Sequence, residues 1–259
     1  MLFRSHILTP ADIGLIASLG HGEVKVTRRL RVAFFSTGDE LRSIGDALED
    51  GQIYDSNRYT LHGMLTRLGV DILDMGVVQD NQDALRQACA QAAATADVLI
   101  TTGGVSVGEA DYVKEVLESA GSINFWKIAI KPGRPLAFGR IRNTWFFGLP
   151  GNPVSVMVTF YQIVQPALRH FMGARQIETV TLRAPCTSKL KKRPGRVEYQ
   201  RGILERDEQG QWSVRKTGAQ GSGILSSMSQ ANCFIILPME QTNVEPGTMV
   251  EVQPFFGLV

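Results

Sequence analysis

The chain has 259 residues, of which 44% are hydrophobic and 20% are charged, enough to bury one large core or two smaller ones. Its net charge of +2 is too small to indicate a nucleic-acid-binding protein. No apolar run approaches the ~20 residues of a membrane span, and residues 1–6 lack the features of a secretory signal. The cysteines, Cys89, Cys186 and Cys233, include no C-x-x-C pair, which argues against a disulfide framework or a zinc site. We therefore expect a cytoplasmic protein that binds neither membranes nor nucleic acid.

The first 29 residues are predicted to form one helix and one short strand. Thr9 followed by Pro10 is a typical helix start, and Gly20 is a typical helix end. Residues 23–27 alternate weakly between apolar and polar side chains, as a short strand does. We interpret residues 1–29 as a separate N-terminal segment.

Residues 30–177 are predicted to form an α/β domain with a doubly wound, mostly parallel sheet. Short apolar runs alternate there with segments of helical spacing, and Ser56 is the predicted N-cap of the first of these helices. The predicted strands cover residues 32–36, 70–78, 97–100, 124–131 and 144–149. Because such sheets bind ligands at the carboxyl ends of their strands, the polar residues that follow these runs are the candidate site residues.

A glycine-rich loop follows the strand predicted at residues 97–100. Thr102, Gly103, Gly104 and Ser106 leave the backbone free to turn its N–H groups toward an anion, and the next helix adds partial positive charge at its N-terminus. This pattern favours a phosphate-bearing ligand.

Carboxylates follow three of the predicted strands. Glu40, Asp80 and Asp111 are each explained, taken alone, by a turn or a helix N-cap. At the carboxyl edge of one sheet, however, the three positions converge. Mg²⁺ would stabilise their charged forms and bridge them to phosphate oxygens, so the pattern predicts a magnesium site.

Two lysines share one face of the strand predicted at residues 124–131. A period of two places Lys127 and Lys131 on the same side, with roughly 13 Å between their Cβ atoms at ~3.3 Å per residue. This separation suits two anionic groups of an extended ligand, and Arg134 adds a third cation on a stiff turn. The alternative is a solvated strand face, because most lysines are exposed.

A second anion site is predicted after the strand at residues 144–149. Pro150, Gly151, Asn152 and Ser155 stand at the start of a long helix, with Asn152 as its cap. Unpaired N–H groups at a helix start attract anions.

Residues 178–259 are predicted to form a small all-β barrel or sandwich, because short β-prone runs are separated there by Gly and Pro turns. Few aromatic side chains are interleaved with its basic patch, which favours an anionic small ligand or solvent over nucleic acid. The patch consists of Lys189, Lys191, Lys192, Arg193, Arg196 and Arg201. The segment at residues 218–223 is either a plain loop or a closing edge for a ligand.

Three stretches resemble the molybdopterin molybdenumtransferase family, the MoeA and gephyrin E-domain group. They are TTGGVSVGEADYV at residues 101–113, KIAIKPGRPLAFG at residues 127–139 and FGLPGNPVS at residues 147–155. The resemblance runs from about Leu8 to the C-terminus, and most of the family's N-terminal region has no counterpart here. It implies that molybdate is inserted into molybdopterin-adenylate with a divalent metal and that AMP is released.

The resemblance also implies roles for single residues. Glu40, Asp80 and Asp111 match acidic positions at the metal and the phosphoanhydride, and Lys127 and Lys131 match lysines placed for molybdate and the pterin phosphate. Gly103, Gly104 and Ser106 match the loop that holds the ligand, and Arg201 and Ser222 match positions contributed by the β domain.

The same resemblance implies a homodimer and a molybdopterin adenylyltransferase as partner. In that dimer we expect Arg201 and Ser222 of one chain to face Lys127 and Asp111 of the other. A non-catalytic molybdopterin-binding or scaffold module is the alternative, and a plain nucleotide-binding domain is the third. The acidic residues and lysines named above favour the transferase.

Overall fold

The computed structural model describes residues 6–104, 121–174 and 179–255. The predicted site residues Ser106 and Asp111, and the helix predicted after the glycine loop, lie outside the described residues. None of the helices in the described ranges has the length and apolar character that crossing a membrane requires.

The first sheet has six strands in the order β4-β1-β5-β9-β8-β6. Its strands are β1 (Arg31–Thr37), β4 (Asp71–Val78), β5 (Val98–Thr102), β6 (Ser122–Lys127), β8 (Pro135–Ile141) and β9 (Thr144–Leu149). The pairs from β4 to β9 are parallel, whereas β8 and β6 complete the sheet with antiparallel pairs. Two short strands, β2 (Leu41–Arg42) and β3 (Ile53–Tyr54), pair with each other beside it.

Helices cover both faces of this sheet. They are α2 (Ser56–Leu68), α3 (Gln82–Thr95), α4 (Pro153–Thr159) and α5 (Gln165–Phe171), with a π-helical turn at Phe160–Val164 between the last two. Along β1, Val32 and Phe34 share a core with α2, α4 and α5, whereas Ala33 and Phe35 share another with α3. Burial on both faces explains why β1 is a continuous apolar run. The predicted doubly wound, mostly parallel sheet is confirmed.

The N-terminal segment forms α1 (Pro10–Ser18), and Thr9 and Asp12 cap it reciprocally in a capping box. The strand predicted at residues 23–27 is wrong, because this stretch pairs with no strand in the described chain and a lone extended segment has no ladder to stabilise it. The segment is attached instead through Arg28, which donates to both carboxylate oxygens of Asp97 at 2.6 and 2.7 Å.

The second sheet forms the predicted β domain and has the order β10-β14-β13-β11-β12. Its strands are β10 (Leu182–Pro185), β11 (Val197–Arg206), β12 (Trp212–Lys216), β13 (Cys233–Leu237) and β14 (Met249–Pro254), with a short helix α6 (Ser226–Gln230) before β13. It contacts the first domain through Phe234, which is fully buried and packs against Tyr161 between α4 and α5. The boundary near residue 177 stays a prediction.

The two predicted lysines belong to different sheets. Lys127 ends β6 in the first sheet, whereas Lys131 lies in β7 (Ile130–Lys131), which pairs in parallel with β11 of the second. The prediction of one continuous strand is therefore wrong. A turn closed by a 2.8 Å bond from the Ile128 amide to the Arg134 carbonyl takes the chain out of the first sheet, and Pro132 has no N–H to continue a ladder.

Candidate functional site

The parallel strands of the first sheet end together in a polar edge. Ser36 lies opposite Thr102 in the register of β1 and β5, and the buried Thr102 hydroxyl donates to Ser36 Oγ at 3.0 Å. The buried hydroxyl oxygens of Thr37 and Thr101 have no hydrogen-bond partner in the described part of the chain. Buried polar atoms in this condition are uncommon in folded proteins, and a bound ligand or water is one way to satisfy them.

The two predicted anion loops meet at this edge. Gly103 has φ +86°, and a side-chain carbon there would overlap the carbonyl oxygen of Thr37, so the position requires glycine. Its amide donates to the carbonyl oxygen of Leu149 at 3.2 Å. A Cβ placed on Gly151 would lie 3.9 Å from the Gly103 Cα, so the start of the glycine loop is in van der Waals reach of the segment that precedes α4.

Asp80 and the Asp39–Glu40 turn face each other at the same edge. Asp80 does not cap α3, because Asn81 does so by accepting from the Ala84 amide at 2.9 Å. The Asp80 Oδ1 atom is buried and unpartnered among residues 6–104, 121–174 and 179–255. Burial raises the pKa of Asp80, and the charges of Asp39 and Glu40 raise it further. Glu40 and Asp80 thus follow the ends of the paired strands β1 and β4, and the charge of Glu40 acts on Asp80.

This carboxylate pair fits a magnesium ion only in part. Within the described ranges, no three His, Cys, Asp or Glu side chains are grouped closely enough to hold a metal. Mg²⁺ in phosphate-handling sites is usually held by one or two carboxylates, with the remaining positions taken by water and phosphate oxygens. Glu40 and Asp80 would supply these two carboxylates, and one oxygen of Asp80 is buried without a partner in the described chain.

Two residues at the start of α2 belong to the same edge although the sequence did not single them out. Asp55, rather than Ser56, is the N-cap of α2 and accepts from the Arg58 amide at 3.1 Å. Asn57 donates to the carbonyl oxygen of Gly151 at 2.7 Å and so fixes the second anion loop. Asp55 Oδ2 and Asn57 Oδ1 are buried without a partner in the described chain. The sequence does carry one signal for these two residues, which is the polar triplet at residues 55–57 directly before the helical pattern.

The start of α4 is closed by the β domain. Asn152 precedes the helix in an extended conformation, but its side chain makes no capping hydrogen bond. The Val154 amide instead donates to the carbonyl oxygen of Ser222 at 3.0 Å. Ser155 is buried at 4% exposure, so its predicted contact with a ligand would need that surface to open. Pro150 is buried as well, and Gly151 and Asn152 are exposed.

The basic hairpin between β6 and β8 rests on α4. Gly133 lies so close to Thr159 and Ser155 that a side-chain carbon would clash with the Thr159 hydroxyl. Lys127 and Arg134 are exposed, and Lys131 forms an ion pair with Glu198 of β11. The hairpin that carries these three cations therefore packs against α4 through Gly133.

Arg201 does not belong to an exposed basic patch, because its side chain is only 1% exposed. Its Nε donates to Ser227 Oγ at 3.0 Å and its terminal nitrogen donates to the Gly221 carbonyl at 2.9 Å. Burial lowers its pKa to about 10. Lys192 is also buried, so Arg201 and Lys192 do not contribute to the predicted basic patch at the surface. The hydrogen bonds show that Arg201 holds the loop that carries Ser222.

Comparison with known proteins identifies the kind of site. The domain family described as "Probable molybdopterin binding domain" matches residues 33–170, and the family described as "MoeA C-terminal region (domain IV)" matches residues 183–255. A Haemophilus influenzae protein named molybdopterin molybdenumtransferase is 49% identical over 97% of this chain and 63% of its own length. A Nostoc protein of the same name is 38% identical over 95% of this chain and 57% of its own.

Solved structures agree with the sequence comparisons. The molybdopterin biosynthesis MoeA protein from Pyrococcus horikoshii superposes with a TM-score of 0.81 at 31% identity, covering 97% of this chain and 61% of that one. An α/β domain whose parallel strands end in a polar edge, joined to a β domain, is the two-domain arrangement that the matched families and this solved structure share. The chain belongs to the MoeA family, as the three motifs predicted, and it spans less than two thirds of these relatives' length.

Proposed function

We propose that this chain takes part in molybdenum cofactor biosynthesis by binding molybdopterin-adenylate and exchanging its adenylate for molybdate. Water attacks the phosphoanhydride, the bond between its two phosphates breaks and AMP leaves. The dithiolene sulfurs of molybdopterin bind the molybdenum, and the molybdate oxygens that they replace take up protons and leave as water. The relatives named molybdopterin molybdenumtransferase support this assignment. The alternative of a non-catalytic binding or scaffold module is not favoured by these names.

The observation that carries the proposal is the buried, unpartnered oxygen of Asp80 beside the charged turn at Glu40. Such a carboxylate needs a cation or a donor to compensate its burial. Glu40 and Asp80, together with Asp111, would hold Mg²⁺ there, which when bound would neutralise charge on the phosphoanhydride.

The remaining residues handle the anionic ends of the substrate. The backbone N–H of Gly104 orients phosphate, together with Thr102 and Ser106 of the same loop, whereas the Gly103 N–H already donates to the Leu149 carbonyl and Gly103 supplies the turn. Lys127, Lys131 and Arg134 supply positive charge for molybdate and the pterin phosphate, where an anionic substrate would otherwise be repelled by the carboxylates. The exposed Gly151–Asn152 turn and the Ser222 loop form the opposite wall.

The experiment compares the Asp80→Asn variant with the wild-type chain in a mixture of molybdopterin-adenylate, molybdate and Mg²⁺, and follows AMP release. We expect AMP release to fall by at least 10²-fold, whereas thermal stability stays equal or rises because a repelling charge is removed. Asp83→Asn, an exposed carboxylate in the first turn of α3, is the matched control. Unchanged AMP release in Asp80→Asn, or no release by the wild type, would refute the proposal.

We further propose that the protein acts in the cytoplasm as a homodimer and receives its substrate from a molybdopterin adenylyltransferase. The three cysteines are free and buried, which suits a reducing compartment. Sedimentation at several concentrations tests the dimer, and co-purification with the adenylyltransferase tests the partner.

A further inference from the structure

The ammonium group of Lys131 is held by a carboxylate of the β domain. Lys131 Nζ lies 3.0 Å from Glu198 Oε1, and the Gln200 amide donates to the other oxygen, Oε2, also at 3.0 Å. Gln200 is fixed in turn by a 3.1 Å bond to the carbonyl of Lys191. Both oxygens of Glu198 therefore have partners, and one of these partners is a predicted substrate lysine.

The two members of this pair differ sharply in exposure. The Glu198 side chain is 5% exposed, whereas that of Lys131 is 49% exposed. A buried carboxylate depends on its partner because an unpaired charge in that position is costly. The exposed part of Lys131, by contrast, is open to a ligand, and an ammonium has three N–H donors, of which Glu198 Oε1 uses one.

The backbone keeps the pair in register. Lys131 in β7 is paired directly with Glu198 in β11, and the Val197 amide donates to the Ala129 carbonyl at 2.9 Å. The hairpin that carries Lys131 also packs on α4 through Gly133. The segment that carries Lys131 is thus fixed from two sides, by the contact of Gly133 with α4 and by the pairing of β7 with a strand of the other domain.

We propose that Glu198 is a positioning residue for Lys131, through which the β domain fixes a cation in the substrate site. This inference rests on the proposed function, because it assumes that Lys131 binds an anionic group of molybdopterin-adenylate. A free lysine side chain loses rotamer freedom when a ligand orders it, and this loss opposes binding. Because Glu198 orders the Lys131 side chain before the substrate arrives, less of the binding free energy is lost to ordering it.

The test measures the KM for molybdopterin-adenylate and the kcat for AMP release in Glu198→Gln. The amide keeps the shape of the side chain but removes its charge, and a hydrogen bond to a neutral acceptor is about half as strong. We expect the KM to rise about five- to tenfold, with a smaller change in kcat. Glu205→Gln is the matched control, because Glu205 lies on the same strand and its ion pair with Arg215 is exposed.

A double-mutant cycle separates positioning from a purely structural role. In a Lys131→Met background, Glu198→Gln should leave the KM unchanged, since no ammonium remains to be positioned. The double variant also avoids an unpaired buried carboxylate, which protects it from unfolding if Lys131→Met alone is unstable. Glu198→Asp should recover part of the lost affinity.

The outcomes discriminate between the two proposals. A wild-type chain without AMP release, or a Lys131 variant with unchanged KM, contradicts the proposed function. If Lys131→Met raises the KM but Glu198→Gln does not, the positioning role is refuted while the proposed function stands. The positioning role is also refuted if Glu198→Gln raises the KM equally with and without Lys131. Glu198 would then affect the KM by stabilising the fold and not by orienting Lys131.

Discussion

The carbonyl oxygen of Ser222, in the β domain, accepts a 3.0 Å hydrogen bond from the amide of Val154 at the start of α4 in the same chain. Arg201 holds the neighbouring Gly221 carbonyl, so the loop that carries Ser222 is anchored on α4 of the same chain. The sequence predicts that Ser222 and Arg201 also reach the site of a second chain, and this stays a prediction.

This contact makes a prediction for mixtures of inactive variants. Asp80→Asn removes a proposed metal ligand, and Ser222→Trp fills the space beside α4. If both residues serve one site of one chain, mixing the two variants should give no more AMP release than the two proteins separately. A shared site would instead restore one intact site in each heterodimer, or about a quarter of wild-type activity after random reassortment.

Gly103 should be difficult to replace, because it combines a positive φ with a close backbone neighbour. Its φ of +86° disfavours any side chain, and the added carbon would also overlap the Thr37 carbonyl oxygen. We expect Gly103→Ala to lower the free energy of unfolding by ~3 kcal/mol or more, because strain and overlap add together.

Gly69 provides the control for this substitution. Its φ of +75° is similar, but nothing lies within 4 Å of the added carbon. Gly69→Ala should therefore lower the free energy of unfolding by about 1–2 kcal/mol, which is the cost of placing alanine in the left-handed conformation. Urea denaturation measures both values, and equal losses in the two variants would show that the contact with Thr37 relaxes freely.

Much of the first domain could be predicted because local pattern and tertiary burial agree there. The run from Val32 to Ser36 is apolar since α2 and α3 cover its two faces, and Pro153 marks the start of α4 as expected. That Glu40 and Asp80 follow the ends of the neighbouring strands β1 and β4 could be expected from a general rule about strand ends. These features depend on neighbours in sequence or on a topology that the strand order dictates.

The remaining features depend on contacts that sequence spacing does not encode. Lys131 leaves the strand of Lys127 because a distant segment, β11, offers an unpaired edge to β7. Arginine is usually a surface residue, yet the strand that carries Arg201 buries it beneath the loop at residues 218–223. Glu198 gave no signal, because its partner lies 67 positions away in the sequence.

The ion pair between Arg28 and Asp97 should attach the N-terminal segment in a pH-dependent way. Asp97 accepts two hydrogen bonds from Arg28 and a third from the Arg31 amide at 2.8 Å. The hydrogen bond from Arg28 is the main reason why the pKa of Asp97 falls from 3.8 to about 2. Asp97→Asn should lower the thermal midpoint at pH 7 by roughly 2–4 °C.

The sign of the pH effect follows from the lowered pKa. The folded state binds a proton on Asp97 less tightly than the unfolded state does, so the stabilisation is complete above about pH 4 and disappears as the pH falls through about 2. The difference in thermal midpoint between wild type and Asp97→Asn should therefore shrink over that interval. Asp71→Asn, which acts on Arg28 through charge at a distance, should give a smaller change. A difference that persists undiminished at pH 2 would show that the Asp97 charge is not what attaches the segment.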